Sequence, residues 1–187
     1  MLKMNFIPIT KDNIMKLRRL SLLVLILCFS LGGVVAQQAD GKKAPGVLTR
    51  DQAAAILPAT VFFRGQSATI QARNSAGVRA SDGKLVLAAM VDTSGYSSGI
   101  AQTYQAYLIT ELPLQIGAHK LAPGAYGFGF IEGNRMVVMD LGGNRLLEAP
   151  TMHDDKITRP TPLQILAEGP AYRLYLGRNF VSFSVAP

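Results

Sequence analysis

Gly95-Tyr96-Ser97-Ser98-Gly99 fits the G-x-S-x-G spelling of a serine hydrolase's nucleophile elbow. In that chemistry a serine hydroxyl attacks a carbonyl carbon, a histidine takes its proton, and a carboxylate orients the histidine. Ser97, Asp140 and His153 even follow one another in the chain order of the α/β-hydrolase class. An elbow also needs a buried strand running directly into the serine and a helix leaving it, so that a strained turn exposes the hydroxyl. Leu85 to Val91 reads as such a strand, and Ile100, Tyr104, Tyr107 and Leu108 recur at helical spacing. Three features oppose the elbow. Asp92-Thr93-Ser94-Gly95 inserts a polar turn between the strand and Tyr96, Tyr104 to Glu111 alternates equally well as a strand, and no His-Gly or Gly-Gly oxyanion loop lies upstream. The favoured reading of Asp92 to Gly99 is therefore a connection between strands, with the hydrolase as the alternative. Asp, Ser and Gly there supply local hydrogen bonds and positive φ. Loops on a rigid β scaffold carry binding residues, so Asp92, Tyr96 and Ser97 form the first expected contact surface.

Gly124-Ala125-Tyr126-Gly127-Phe128-Gly129-Phe130 is glycine-rich without the order of a dinucleotide or Walker loop. As a strand it puts Tyr126, Phe128 and Phe130 on one face and Ala125, Gly127, Gly129 and Ile131 on the other. An aromatic face against a bare one predicts core packing on one side and close backbone approach on the other. A ligand lying against the aromatic face or the glycine floor is the functional alternative, which adds Tyr126, Phe128 and Phe130 to the candidate binding residues. In a closed barrel these rings would line the interior. His119 and His153 are 34 residues apart with no H-x-H or H-E-x-x-H pattern, and His153-Asp154-Asp155 sets neighbouring side chains that rarely converge on one ion. No D-x-D-x-D-G calcium loop occurs. The sequence gives no reason to expect a metal or a cofactor.

The elements that must position these residues are mostly strands. Thr49-Arg50-Asp51-Gln52 is a Thr-x-x-Gln capping box opening a short helix through Ala53 to Leu57, stopped by Pro58. Beyond Pro58 the apolar period becomes two and turn residues recur: Arg64-Gly65, Asn74 to Gly77, Ser81 to Lys84, Glu132 to Asn134, Gly142 to Asn144 and Gly177 to Asn179. That rhythm predicts an all-β domain over residues 49–187, an antiparallel β-sandwich or small barrel with one short N-terminal helix. Arg159-Pro160-Thr161-Pro162 precedes a strand and stiffens its approach; as a proline-rich ligand it is a weak reading. Leu121-Ala122-Pro123-Gly124-Ala125-Tyr126 resembles the L-x-P-G-x-Y turn-into-strand of secreted bacterial β-sandwich modules, and the chain as a whole is similar to exported bacterial β-domains. The resemblance covers six residues and implies a fold type, not an activity.

Residues 1–36 are of a different character. Met15 to Arg19 is a short basic region, Leu20 to Leu31 an apolar run, and Val34-Val35-Ala36 a small-residue end, the layout of a secretory signal peptide cleaved before Gln37. Met15 serves equally well as the start. An uncleaved leader would instead anchor the protein in a membrane as an envelope module. Residues 37–48 are polar at first, with Gly and Pro, and read as a tether. Five of the 19 basic residues and one of the 12 acidic ones precede Gln37, so cleavage takes the net charge from +7 to +3. The remaining basic residues are spread singly, which speaks against nucleic acid as a partner. Cys28, the one cysteine, leaves with the leader, and a thiol-free exported domain suits a bacterial periplasm or outer surface. The expected function is that of an exported, non-enzymatic binding module for a protein, a glycan or a small apolar ligand.

Overall fold

The computed structural model describes residues 44–186. The leader and the start of the tether lie outside the described residues. The described residues are all-β, with fourteen strands in two antiparallel sheets and two short helices. In chain order the first seven strands are β1 Gly46–Leu48, β2 Thr60–Phe63, β3 Gln66–Arg79, β4 Leu85–Val91, β5 Ala106–Thr110, β6 Leu114–Ile116 and β7 His119–Leu121. The others are β8 Gly124–Ile131, β9 Arg135–Met139, β10 Arg145–Pro150, β11 Met152–His153, β12 Leu163–Glu168, β13 Ala171–Leu176 and β14 Asn179–Val185. Helix α1 is Arg50–Ala54 and helix α2 is Ser98–Thr103.

The first sheet runs β1-β3-β4-β5-β8-β9-β10, with β2 on β3; the second runs β12-β13-β14-β6-β7, with β11 on β14. The arrangement is sandwich-like, and neither sheet closes into a barrel. Strand alternation explains the layers. Val86, Ala88, Ala106, Leu108, Met136 and Val138 of the first sheet meet Leu114, Ile116, Leu163, Ile165, Leu174, Val181 and Phe183 of the second in one apolar core. Tyr126 and Phe128 join that core, with Phe130 packed at its margin. The aromatic face of β8 is thus core packing, and Phe128 has no exposed surface.

The outer face of the first sheet is covered too. β3 loses register with β4 between Ile70 and Ser75, and its first half pairs with β2. The resulting hairpin lays Val61, Phe63, Ala68 and Ile70 on Ala89, Val91, Tyr107, Val137 and Met139. Two boundaries differ from the sequence expectation. The tether ends earlier, because Gly46–Leu48 pairs with β3 and Leu48 is buried against Ala53 and Leu87. The capping box forms as expected, Thr49 accepting from Gln52 N while the Gln52 side chain accepts from Thr49 N, but the helix proper ends at Ala54.

A third difference is α2 itself, a helical turn that begins at Ser98 inside GYSSG and that the loop reading lacked. It crosses the bare face of β8. A Cβ on Gly129 would collide with the Thr103 carbonyl oxygen, and one on Gly127 would stand 2.6 Å from Phe63 Cε2 and 2.8 Å from Tyr104 Cδ2. The glycines of β8 are therefore the floor on which α2 and the β2–β3 hairpin rest.

Candidate functional site: a cleft beside helix α2

Ser97 is the N-cap of α2. An N-cap serine usually accepts a hydrogen bond from the first turn; this one makes no such bond, which leaves its hydroxyl uncommitted among the described residues. Five residues separate it from the end of β4, so the chain reaches it through a relaxed turn rather than a strained elbow. Asp92 begins that turn by accepting from Ser94 N at 3.0 Å, a bond that holds its carboxyl below the usual carboxylate range. Tyr96 fastens the turn. Its hydroxyl donates to the Phe63 and Gln66 carbonyls at 3.1 and 3.2 Å, and its ring meets Phe63 and Tyr104 edge-on. Burial raises its phenol.

The hydrolase constellation does not assemble. Asp140 sits in the β9–β10 turn with both carboxylate oxygens on Asn144, its backbone N at 2.9 Å and its side-chain Nδ2 at 2.8 Å. Those bonds lower the Asp140 carboxyl. His153 belongs to the second sheet, its Nδ1 2.7 Å from Asn179 Oδ1 and its Nε2 3.4 Å from Asp155. No histidine lines the cleft that contains Ser97. A serine without a base in hydrogen-bond reach stays a weak nucleophile. Among the described residues no cluster of His, Cys, Asp and Glu gathers to hold a metal ion.

What Ser97 does line is a cavity of about 430 Å³, shared with Phe63, Arg64, Gly99, Ile100, Thr103, Met139, Gly143 and Arg145. A second cavity of about 400 Å³ continues past Thr103 and Arg145, which line both, toward Gln105, Phe130, Ile131 and Arg135. Volumes of this order are typical of small-molecule sites. The cationic wall comes from three places. Arg64 is carried on the tip of the β2–β3 hairpin, while Arg135 and Arg145 come from β9 and β10 and both bind Glu148, at 2.7 and 2.8 Å.

Of the residues singled out by sequence, only Ser97 borders the first cavity and only Phe130 the second. Asp92 and Tyr96 build the turn, and Tyr126 and Phe128 fill the core. Sequence reasoning missed the three arginines. One signal pointed at the first of them. Arg64-Gly65 is a two-residue hairpin turn, a place where Asn-Gly or Asp-Gly is the usual choice. The chain matches no protein-family model, no curated protein and no solved structure.

Proposed function

We propose that this protein is an exported, non-enzymatic binding module of a bacterial periplasm or cell exterior, and that it binds its ligand in the cleft beside α2. The observation that carries the reading is a solvent-reachable cleft on the outer face of the first sheet, separate from a filled inter-sheet core, with an uncommitted Ser97 hydroxyl and no base beside it. Export is supported by the basic, apolar and small-residue sequence of Met15 to Ala36.

Two measurements test the two halves. N-terminal sequencing of the exported protein should begin at or within a few residues of Gln37; an intact leader on membrane-bound protein would replace export with anchoring. A fluorophosphonate probe should leave purified protein unlabelled. Stoichiometric labelling at Ser97 that His153→Ala abolishes would make the protein a serine hydrolase and end the binding-module reading.

A further inference from the structure

We propose that the cleft recognises a small amphipathic carboxylate, its anionic end held between Arg64 and Arg145 and its apolar body lying over Ile100 and Met139 toward the second cavity. The proposal rests on the binding-module reading and names its ligand class. Its first support is the backbone of Arg64, which has φ +50° beside Gly65 at φ +79°. Two positive φ values across a two-residue loop make a type I′ turn, where asparagine fits and an arginine is disfavoured. A bulky residue kept in a sparsely populated conformation points to a role for its side chain.

The setting of Arg64 is built rather than loose. Its backbone N–H donates to the Leu141 carbonyl at 2.7 Å, tying the hairpin tip to the β9–β10 turn. Its aliphatic stem lies so close to Gly143 that a Cβ there would come within 2.7 Å of Arg64 Cδ. The guanidinium that this stem carries has no carboxylate partner among the described residues. On the other wall Glu148 orients Arg145 through a single Nη1 contact, and the remaining N–H donors of Arg145 have no partner among the described residues. Two guanidiniums and the Ser97 hydroxyl then offer the planar, bidentate recognition that a carboxylate takes best. Glu148 beside Arg135 and Arg145, and Glu132 in the second cavity, offset part of the positive charge, so a singly charged end group fits better than a polyphosphate. Half-buried Ile100, with the edges of buried Phe63 and Met139, supplies the apolar surface of the first cavity, and Ile131 extends it on the same face of the sheet.

The test is a calorimetric titration of the protein at low ionic strength with acetate, hexanoate, octanoate and the neutral octanamide. Affinity should rise from acetate to octanoate, octanamide should bind at least ~10-fold more weakly than octanoate, and added salt should weaken the octanoate signal. Arg64→Asn and Arg145→Gln should each cost ~10-fold or more in octanoate affinity, the scale of a charge-assisted hydrogen bond. Arg64→Asn should melt no lower than the parent, because its turn prefers asparagine, so lost binding cannot be laid to unfolding. Arg159→Gln, an exposed site outside both cavities, should bind octanoate as the parent does. Equal binding of octanamide and octanoate, binding indifferent to Arg64→Asn, or no binding of any of the four would overturn the carboxylate proposal. None of those results touches the binding-module reading, whose failure shows separately as covalent labelling of Ser97.

Discussion

Tyr104 is fully buried, stacks on Phe63 at 3.9 Å and 16°, and still carries a hydroxyl with no hydrogen-bond partner among the described residues. The packing explains why the ring is there: with Tyr96 and Phe63 it locks the turn before α2 to the β2–β3 hairpin. It does not explain the oxygen. Burial raises this phenol strongly, since a phenolate would be costlier still in that apolar layer. An unsatisfied buried hydroxyl costs about 1–3 kcal/mol, and its removal leaves a ring of the same shape in place. Tyr104→Phe should therefore raise stability by about 1 kcal/mol, read as a higher urea midpoint at unchanged slope. A lower midpoint would mean that the hydroxyl is satisfied and that Tyr104 is more than a packing residue.

At the scale of elements, the contact between α2 and β8 decides where the cleft can exist. Gly129→Ala would drive a methyl group into the Thr103 carbonyl, a backbone atom that cannot swing aside, so it should destabilise the fold by about 1–3 kcal/mol. Gly99→Ala, in helix α2 itself but with nothing within 4 Å, should instead be neutral or stabilising by about 0.5–1 kcal/mol. Thermal melts of the two variants check the contrast, and equal effects would remove Gly129 as the floor of the helix. The same strand shows how far the sequence could be read. Alternation in Gly124 to Ile131 assigned both faces of β8 correctly, because a period of two is local information. Helix α2 was legible only as an ambiguous spacing from Ile100 that runs on into Tyr107 and Leu108 of β5, since six residues give too few turns to mark a helix and its support is a glycine floor some thirty positions on. β1 was missed for a related reason: three residues become a strand only through pairing with β3. The cleft itself was legible only in Ser97 and Phe130, as its arginines are brought together from a hairpin turn and two later strands.

For the whole molecule, acid is the condition that should loosen it, because carboxylates tie down several of its connections. Asp154 helps to hold the stretch between β11 and β12 against the second sheet. It accepts from the Tyr175 hydroxyl at 2.8 Å and Lys156 N at 3.0 Å, and Arg173 Nη1 stands 3.6 Å away. The hydrogen bond from Tyr175, first among these, pulls the Asp154 carboxyl below its ordinary value. Glu168 is lowered chiefly by its hydrogen bond from Arg173, Asp140 by Asn144, Asp92 by Ser94 and Asp82 by Lys84. A carboxyl whose pKa is depressed in the folded state binds fewer protons there than in the unfolded chain, so stability rises with pH across that interval. Its contribution is complete above the unfolded values, about 4 for Asp and Glu, and is lost as pH falls through the folded ones. Melting temperature should therefore decline progressively below about pH 4, and Asp154→Asn should flatten part of that decline because the amide has no proton to gain. Melts of the parent and Asp154→Asn between about pH 2.5 and 6 provide the measurement. A parent curve that stays level through the acid range, or parallel curves for the two proteins, would show that Asp154 does not hold that stretch of chain in place.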